Sequence, residues 1–399
     1  MLSRRHFLTN TAMLGSAAGF AATPLSSAVA AAVDDLETTT WSCCSINCGS
    51  RCLLRCVSKK GRVIRIETDN TGDPEAGASA TSCPQVRACQ RGRSIRQRLY
   101  SEERLKFPMK RVGRRGEGKF ERISWEQALD EIAARLKKTI AEHTNESIML
   151  MHGSGSYSLF NNRNCTFRFF NMIGGNIGWY SDYSAACIQH AWPYLYGGFG
   201  YGGVRSTNDG AGSYMNQVKN AKLYVTFGNN PAVTRASGGG QSWELYGALR
   251  EGKTRMVVID PICTDTLAGR DAEWVAIRPG TDAALCEGMA WVMINENLVD
   301  QAFLDKYCVG YDEKTLPKSA PKGSDYKSYI LGQGPDKTAK TPLWASRITQ
   351  VPVETIERLA REIATTKPVF ISQGWGPQRR MNGETQSTAI AMMALLTGQ

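Results

Sequence analysis

The sequence predicts an α/β fold in which a small, β-rich, cysteine-bearing domain precedes Rossmann-like parallel-sheet α/β domains. Three observations lead to this class. Several of the twelve cysteines crowd into residues 43–56. Farther along, apolar runs end repeatedly in polar or glycine-rich turns, and segments with helical periodicity separate these runs. Such alternation is typical of parallel strands in layered α/β structures.

The chain of 399 residues is too long for one small core and predicts two or three domains. Beyond the N-terminus it contains no apolar run of about 18 residues, so we expect no membrane span. The formal net charge of +11 is uneven, because thirteen Lys/Arg and four Asp/Glu lie between Arg87 and Arg122. A basic stretch of this kind suits nucleic acid, an anionic cofactor or an acidic partner protein.

The N-terminus has the pattern of a twin-arginine export signal. Residues 3–9 are Ser-Arg-Arg-His-Phe-Leu-Thr, a mildly apolar stretch follows, and residues 28–30 supply an Ala-Val-Ala cleavage site. The alternative is a chance basic N-terminus ahead of an alanine-rich tail. We expect residues 1–31 to be a signal peptide and the mature protein to be periplasmic.

Residues 41–56 have the sequence Trp-Ser-Cys-Cys-Ser-Ile-Asn-Cys-Gly-Ser-Arg-Cys-Leu-Leu-Arg-Cys. A [4Fe-4S] cluster needs four thiolates, typically three from one tight loop and one from a distant segment. Cys44, Cys48 and Cys52, completed by Cys89, fit this requirement. Three further cysteines compete with them: Cys43, Cys56 and Cys83.

Two other interpretations of these cysteines remain open. Four cysteines also form structural zinc sites, and exported proteins often use cysteines in disulfides. The spacing favours an iron–sulfur cluster. An export signal argues further against a zinc ribbon, because nucleic-acid partners are absent outside the cytoplasm. We therefore expect no nucleic-acid partner, and a zinc-binding nucleic-acid protein stays as a third hypothesis.

The middle of the chain predicts a helix followed by a candidate anion site. Ser124-Trp-Glu-Gln127 is a capping box, and apolar residues recur at helical spacing through residue 140. The apolar run 148–151 then leads into a Gly/Ser loop. A strand that ends in such a loop is a common cradle for phosphate.

Four later segments repeat the pattern of an apolar run or turn followed by polar residues. They are residues 223–227 before Gly228, residues 256–259 before Asp260, the turn 278–282 before a helix at 283–294, and residues 367–371 before 372–379. In parallel sheets, ligands bind at the carboxyl ends of the strands. The alternative for Asp260 is that it only caps a strand.

The chain resembles the dimethyl sulfoxide reductase family of molybdopterin oxidoreductases, especially the catalytic subunits of the anaerobic dimethyl sulfoxide and selenate reductases. Residues 41–55, residues 86–96 and the phrase Phe-Pro-Met-Lys-Arg-Val-Gly at 107–113 carry the likeness, which continues to the last residue. The resemblance implies a [4Fe-4S] cluster on Cys44, Cys48, Cys52 and Cys89. It also implies molybdenum bis(molybdopterin guanine dinucleotide).

The resemblance implies that this cofactor is held at the strand ends and by the Gly/Ser loop. The implied contacts are Ser154, Ser156, Tyr157, Ser158, Val233, Thr234, Ile259, Asp260, Gly280, Thr281, Asp282, Gly374, Trp375 and Gln378.

The resemblance also implies Ser184 as the catalytic residue and molybdenum ligand. Residues 180–187 are Tyr-Ser-Asp-Tyr-Ser-Ala-Ala-Cys, and reductases of the dimethyl sulfoxide type use Ser in such a phrase. A deprotonated Ser oxygen is a hard donor suited to oxidised molybdenum. The rival ligand is Cys187, which would indicate a nitrate-reductase or formate-dehydrogenase type of centre. Tungsten would take the same Ser ligand.

The implied activity is oxygen-atom transfer from an S-, N- or Se-oxide in anaerobic respiration, with electrons arriving through the cluster. The implied partners are an iron–sulfur electron-transfer subunit and a quinol-oxidising membrane anchor subunit, which would hold the protein at the membrane periphery. The basic stretch beside the cluster would face the electron donor. The resemblance does not choose between dimethyl sulfoxide, trimethylamine oxide and selenate.

We predict a [4Fe-4S] domain at 40–105, a discontinuous α/β domain at 106–190 and 366–399, and a cofactor-binding Rossmann-like domain at 191–365. Members of the family are about twice as long, so we expect the family's C-terminal domain to be missing. The alternative function is therefore a truncated, non-catalytic iron–sulfur electron-transfer or binding module.

Overall fold

A computed structural model describes residues 36–46, 52–69, 71, 87–150, 162–178, 184, 186–196, 213, 215–233 and 241–399 of the chain. The predicted signal segment and several predicted site residues lie outside these ranges: Cys48, Ser154, Ser156, Tyr157, Ser158 and Thr234.

The N-terminal part is a three-stranded antiparallel sheet, β1 (Thr38–Cys43), β2 (Leu53–Lys59) and β3 (Arg62–Thr68), in the order β1-β2-β3. The two-residue turn between β2 and β3 has φ +52° at Lys60 and +69° at Gly61. Positive φ at both positions matches the right-handed twist of the flanking strands. The short helices α1 (Gln90–Arg93) and α2 (Ile95–Leu99) follow. This arrangement confirms the predicted small β-rich region.

A hairpin and a long helix come next. Strands β4 (Met109–Arg111) and β5 (Phe120–Arg122) are antiparallel, and α3 (Trp125–His143) confirms the predicted helix. Its N-cap is Ser124, whose Oγ accepts a hydrogen bond from Gln127 N at 3.1 Å. The helix α4 (Asn162–Met172) lies further on. The apolar run 148–151 forms only an isolated parallel bridge, Met149 to Ile177, within the described residues.

The larger part alternates strands and helices. Its strands are β6 (Leu223–Phe227), β7 (Arg255–Ile259), β8 (Glu273–Val275) and β9 (Val369–Gln373). Its helices are α5 (Ala186–Tyr196), α6 (Gln241–Gly252), α7 (Asp282–Asn295), α8 (Gln301–Tyr307), α9 (Tyr326–Ile330), α10 (Pro342–Thr349), α11 (Val353–Thr365) and α12 (Gly383–Thr397). The four strands form one parallel sheet in the order β8-β7-β6-β9, which confirms the predicted α/β class.

The sheet is buried on both faces because its side chains alternate between two layers of helices. Leu223, Val225 and Phe227 pack into a core with α7, α11 and α12. Tyr224 faces the opposite layer and packs with residues of α6. The largely apolar segments of β6 and β7 are therefore buried along almost their whole length, as expected for parallel strands covered on both sides.

Strand β9 lies in the same sheet as β6, with Leu223 paired to Val369 and Phe227 paired to Gln373. The sheet thus joins residues after 366 to the predicted Rossmann-like segment. The division of the chain at residues 105, 190 and 365 stays a prediction.

Candidate functional site

Two of the predicted cluster cysteines are buried side by side in the N-terminal sheet domain. Cys44 is 9% exposed and Cys52 is 4% exposed. The backbone N–H of Cys44 donates to the carbonyl of Cys52 at 2.8 Å, which closes the loop between β1 and β2. Both thiols belong to one small apolar cluster with Leu54 and Ala88.

The residue after Ala88 is Cys89, the N-cap of α1. This helix rests directly on the first thiol, since a Cβ atom at Gly92 would lie 3.4 Å from Cys44 Sγ and 3.1 Å from Ala88 Cβ. The chain therefore brings the segment that contains Cys89 close to Cys44, and the assignment of Cys44, Cys48, Cys52 and Cys89 as cluster ligands stays a prediction. Cys48 and Cys83 lie outside the described residues.

The structure shows no disulfide between any of the cysteines that it describes. Cys43 is exposed, and burial raises the pKa of the Cys56 thiol, which disfavours its thiolate. In the described part of the chain, no three His, Cys, Asp or Glu side chains lie close enough together to hold one metal ion. A [4Fe-4S] cluster spreads its four thiolates over separate irons, and a soft, thiol-only donor set within an apolar cluster suits it.

The second candidate site is the carboxyl edge of the parallel sheet. Because all four strands run in the same direction, the residues after β6, β7, β8 and β9 meet at this edge. The predicted contacts Ile259, Asp260, Gly280, Thr281, Asp282, Gly374 and Trp375 follow or end these strands. Ile259 itself is fully buried, so that only its backbone reaches the edge, where its carbonyl accepts from Gly228 N at 2.9 Å.

Asp260 is a nearly buried carboxylate at the end of β7, with 7% of its surface exposed. Its Oδ1 accepts from Ile262 N at 3.0 Å, and its carbonyl accepts from Trp274 Nε1 at 2.8 Å. Burial raises the pKa of Asp260. The Asp260 side chain thus caps the turn after β7, as in the interpretation that it serves only as a strand cap. It also lies at the edge of the sheet where a ligand would bind.

Asp282 begins α7 and is 5% exposed. Burial raises its pKa to about 6, and the positive charge of Arg380 opposes the rise. The guanidinium of Arg380 donates to the carbonyl of Pro279 at 3.0 Å and fills the space that a side chain at Gly280 would need. Gly280 has φ +73°. This loop therefore depends on glycine both for its backbone conformation and for the close approach of Arg380.

Thr281 is the N-cap of α7 but does not cap it with its side chain. Its hydroxyl donates instead to the carbonyl of Arg278 at 2.7 Å. The N–H of Ala283 donates to Oε1 of Gln386, which lies outside the helix, at 2.7 Å.

Val233 lies on the turn after β6 and is half-buried. Its N–H donates to Asn230 O.

The loop after β9 crosses the loop after β6 at van der Waals distance. Gly374 N donates to Phe227 O at 2.8 Å, and a Cβ at Gly376 would lie 3.0 Å from Gly228 O. Trp375 is partly exposed beside this crossing, with the Arg379 guanidinium 5.8 Å from its ring centroid. The exposed part of a flat indole ring next to bare backbone suits contact with a planar ligand.

Ser184 is exposed and lies just before α5. Its carbonyl accepts two hydrogen bonds from the Trp375 loop, one from Gln378 Nε2 at 2.6 Å and one from Arg379 Nε at 2.9 Å. The rival ligand Cys187 is partly buried, and its Sγ lies 3.9 Å from the carbonyl of Arg380. The pKa of the Cys187 thiol is raised, mainly by burial and to a smaller extent by a hydrogen bond with Glu384. The structure thus attaches the Ser184 segment to the carboxyl edge of the sheet.

The edge as a whole fits an extended ligand that carries both anionic and hydrogen-bonding groups. It offers glycine backbone, two buried carboxylates, an aromatic ring and the exposed arginines Arg379 and Arg380. Arg380 and Gln386 were not named in the sequence analysis, and Arg379 and Gly228 were not predicted as contacts. Arg379 and Arg380 directly follow Gln378, so a basic pair after a predicted contact was the available signal.

No helix in the described ranges is long and apolar enough to cross a membrane.

Comparison with known proteins gives matches along almost the entire described chain. A model of the molybdopterin oxidoreductase family matches residues 104–399, and a model of the molybdopterin oxidoreductase Fe4S4 domain matches residues 37–101. Dimethyl sulfoxide reductase DmsA of Escherichia coli (strain K12) is 53% identical over 410 residues, which cover 100% of this chain and 49% of that protein.

DmsA of Haemophilus influenzae is 54% identical over 368 residues, which cover 91% of this chain and 44% of that protein. The solved structure of acetylene hydratase from Pelobacter acetylenicus shares the fold, with a TM-score of 0.53 and 23% identity, over 90% of this chain and 43% of that one. The chain spans about half the length of the curated relatives it matches.

Proposed function

This chain belongs to the molybdopterin oxidoreductase family and carries its Fe4S4 domain, and on that premise we propose that it is the N-terminal part of the catalytic subunit of a molybdenum-dependent terminal reductase. The reaction would transfer an oxygen atom from an S-, N- or Se-oxide, of the dimethyl sulfoxide or selenate type. The sequence identity of 53% to a dimethyl sulfoxide reductase supports this substrate class.

The observation that carries the proposal is the attachment of Ser184 to the carboxyl edge of the sheet. The proposed molybdenum ligand and the proposed pterin contact Trp375 lie on segments that are nearly 200 positions apart in sequence, yet hydrogen bonds of 2.6 and 2.9 Å join these segments. The backbone of Ser184 is thereby attached to the edge of the sheet at which the cofactor is proposed to bind.

When bound, a molybdenum pterin would supply two-electron redox chemistry and oxygen-atom transfer. The chain's own residues would bind and orient it. The Ser184 hydroxyl would give up its proton and present a hard oxygen donor. We propose the guanine dinucleotide form because Asp260 and Asp282 are buried acceptors at the edge, where they can receive N–H groups of a guanine, and because Arg379 and Arg380 can neutralise phosphate.

We propose that Cys44, Cys48, Cys52 and Cys89 hold a [4Fe-4S] cluster that delivers the electrons. Two of these thiols are buried in one apolar cluster, and the Cys89 segment lies against the first. Burial restricts water around the cluster and thereby influences its potential, as does the nearby positive charge of Arg91 and Arg93.

The remaining parts of the proposal concern location and partners. We propose export by the twin-arginine route to the periplasm, with residues 1–31 as the signal. The electron donor would be an iron–sulfur subunit attached to a quinol-oxidising membrane anchor, in anaerobic respiration. The basic stretch between Arg87 and Arg122 contains Cys89 and offers a surface for an acidic partner.

The test is a reductase assay with reduced viologen and each of three oxides, dimethyl sulfoxide, trimethylamine oxide and selenate. The chain is made anaerobically, alone and together with the polypeptide that covers the rest of the length of E. coli DmsA. Activity in either preparation, lost in Ser184→Ala and retained in Cys187→Ala, would support the proposal. Loss in Cys187→Ala and retention in Ser184→Ala would contradict the assignment of the ligand.

The same preparations test the alternative function. A cluster that can be reduced and reoxidised in both preparations, without molybdenum and without reduction of any oxide, would indicate a non-catalytic electron-transfer module and would overturn the proposed reductase.

A further inference from the structure

Gln378 is a fully buried side chain whose polar atoms are all engaged with backbone groups. Its Nε2 donates to Ser184 O at 2.6 Å and to Trp375 O at 3.3 Å, and its Oε1 accepts a long hydrogen bond of 3.5 Å from Ile188 N. The two carbonyls can only accept and the N–H can only donate, so the orientation of the amide is unambiguous. No polar atom is left over for a ligand.

The three partners of Gln378 belong to one functional unit. Ser184 precedes α5, and Ile188 is the third residue of that helix. The first four N–H groups of a helix have no acceptor within the helix, and Gln378 Oε1 supplies an acceptor for one of them, the N–H of Ile188. The same side chain also fixes the carbonyl of Trp375 in its own loop. Arg379 adds a second donor to the Ser184 carbonyl, at 2.9 Å.

A second glutamine does the same for another helix at this edge. Gln386 of α12 accepts from Ala283 N, the second residue of α7, at 2.7 Å. Thr281, the N-cap of α7, makes no such bond. Gln378 and Gln386 thus both cap the start of a distant helix, but only Gln378 also contacts Ser184. This pair provides a matched comparison.

We infer that Gln378 is a positioning residue that does not itself bind the cofactor. Its hydrogen bonds fix the position of Ser184 and of the start of α5 relative to the Trp375 loop. The inference rests on the proposed function for the role of Ser184. In that case the buried amide of Gln378 would control the distance between the proposed metal ligand Ser184 and the proposed pterin contact Trp375.

The experiment is hydrogen–deuterium exchange of the 399-residue chain, with Gln378→Leu, Gln378→Glu and Gln386→Leu as variants. Removal of one buried hydrogen bond corresponds to roughly tenfold faster exchange. For Gln378→Leu we expect this faster exchange in peptides that cover residues 184–190. For Gln386→Leu we expect no change in those peptides and faster exchange at residues 281–285. Gln378→Glu keeps the shape and the acceptor but loses both donors, so it should also loosen residues 184–187.

A second readout addresses the metal. In molybdenum-loaded chain, Gln378→Leu should change the Mo(V) EPR signal while the iron content stays constant. Gln127→Ala in α3, whose side chain bonds to Glu131, should leave that signal unchanged. If Gln378→Leu does not fold, Arg379→Met removes one donor to the same carbonyl from an exposed position, and its exchange rise should appear in the same peptides.

The outcomes separate this inference from the proposed function. Unchanged exchange at residues 184–190 in both the Gln378 variants and Arg379→Met would overturn the positioning role, whether or not molybdenum binds. Faster exchange in a chain that takes up no molybdenum would support the attachment of Ser184 and contradict the proposed reductase. An equal rise at residues 184–190 for Gln378→Leu and Gln386→Leu would indicate general loosening and overturn the inference.

Discussion

Gly374 packs so closely against Gly228 that a Cβ atom at residue 374 would lie 2.3 Å from the Gly228 carbonyl oxygen. It would also lie 2.8 Å from the Cα of Asn229. Both neighbours are backbone atoms at the carboxyl edge of the sheet, so neither can rotate away. The crossing of these two loops places Trp375 at the edge and depends on the absence of a side chain at residue 374.

Gly374→Ala should lower the free energy of unfolding by about 2 kcal/mol, within the range for overpacking of a well-packed site. Urea denaturation of the chain measures the change. The matched control is Gly247→Ala in α6, where a Cβ would meet nothing within 4 Å. That substitution should be stabilising by about 0.5–1 kcal/mol, because alanine is the better helix former. Equal stability of the two variants would contradict the described loop crossing.

Substitution of the buried cysteines should remove the iron. Cys44→Ser and Cys52→Ser each delete a proposed cluster thiolate from the buried pocket, and we expect loss of iron and of the broad visible absorption of the cluster. Cys43→Ser is the control, since Cys43 lies next to Cys44 in sequence but is exposed. Iron retained in Cys44→Ser and lost in Cys43→Ser would move the first ligand to Cys43.

Asp282 should make the stability of the chain depend on pH. Its pKa is about 6 in the fold, raised by burial, against 3.8 as the ordinary value. The folded state therefore binds more protons than the unfolded state between these values, and stability should decrease as the pH rises from about 4 to 6. The full decrease is about 3 kcal/mol, from 1.36 kcal/mol for each pKa unit.

The check is the free energy of unfolding as a function of pH for the wild type and for Asp282→Asn. From about pH 4 to 6 the free energy of unfolding of the wild type should fall relative to that of Asp282→Asn. Above about pH 6 the difference between the two proteins should stay constant. Parallel curves from pH 4 to 7 would show that the Asp282 carboxylate is not buried in the fold.

Ser124→Ala should destabilise the first turn of α3 by about 1 kcal/mol, because Ser124 Oγ caps the Gln127 N–H. Amide exchange over residues 126–131 should become roughly fivefold faster. Gln127→Ala is the control: its side chain does not complete the capping box but bonds to Glu131 Oε1 at 2.9 Å on the exposed face. If both substitutions accelerate exchange equally, the serine cap has no special contribution.

The elements that the sequence predicts well are those with a local signal. The segments that became β6, β7 and β9 each contain consecutive apolar residues and are followed by Gly228, Asp260 and Gly374. Helix α3 starts at a recognisable cap. Cysteine spacing singled out Cys44 and Cys52, which the fold buries in one apolar cluster, while their role as cluster ligands stays a prediction. In each case, a few neighbouring residues contain the information.

The contacts that the sequence did not predict join distant segments. The bond from Gln378 to Ser184 spans 194 positions, and the bond from Gln386 to Ala283 spans 103. Nothing near either glutamine indicates which helix it will cap, because the choice depends on how α12 and the loop before it pack against α5 and α7. The close approach of Arg380 to Gly280 has the same origin.

Metal analysis of the chain addresses the proposal that its N-terminal domain holds a [4Fe-4S] cluster and that the carboxyl edge of its parallel sheet holds a molybdenum pterin. The chain is purified anaerobically, and its iron, sulfide, zinc and molybdenum are measured together with low-temperature EPR. We predict about four irons and four sulfides with a [4Fe-4S] signal after reduction, and about one molybdenum. Zinc in place of iron, without molybdenum, would contradict the account.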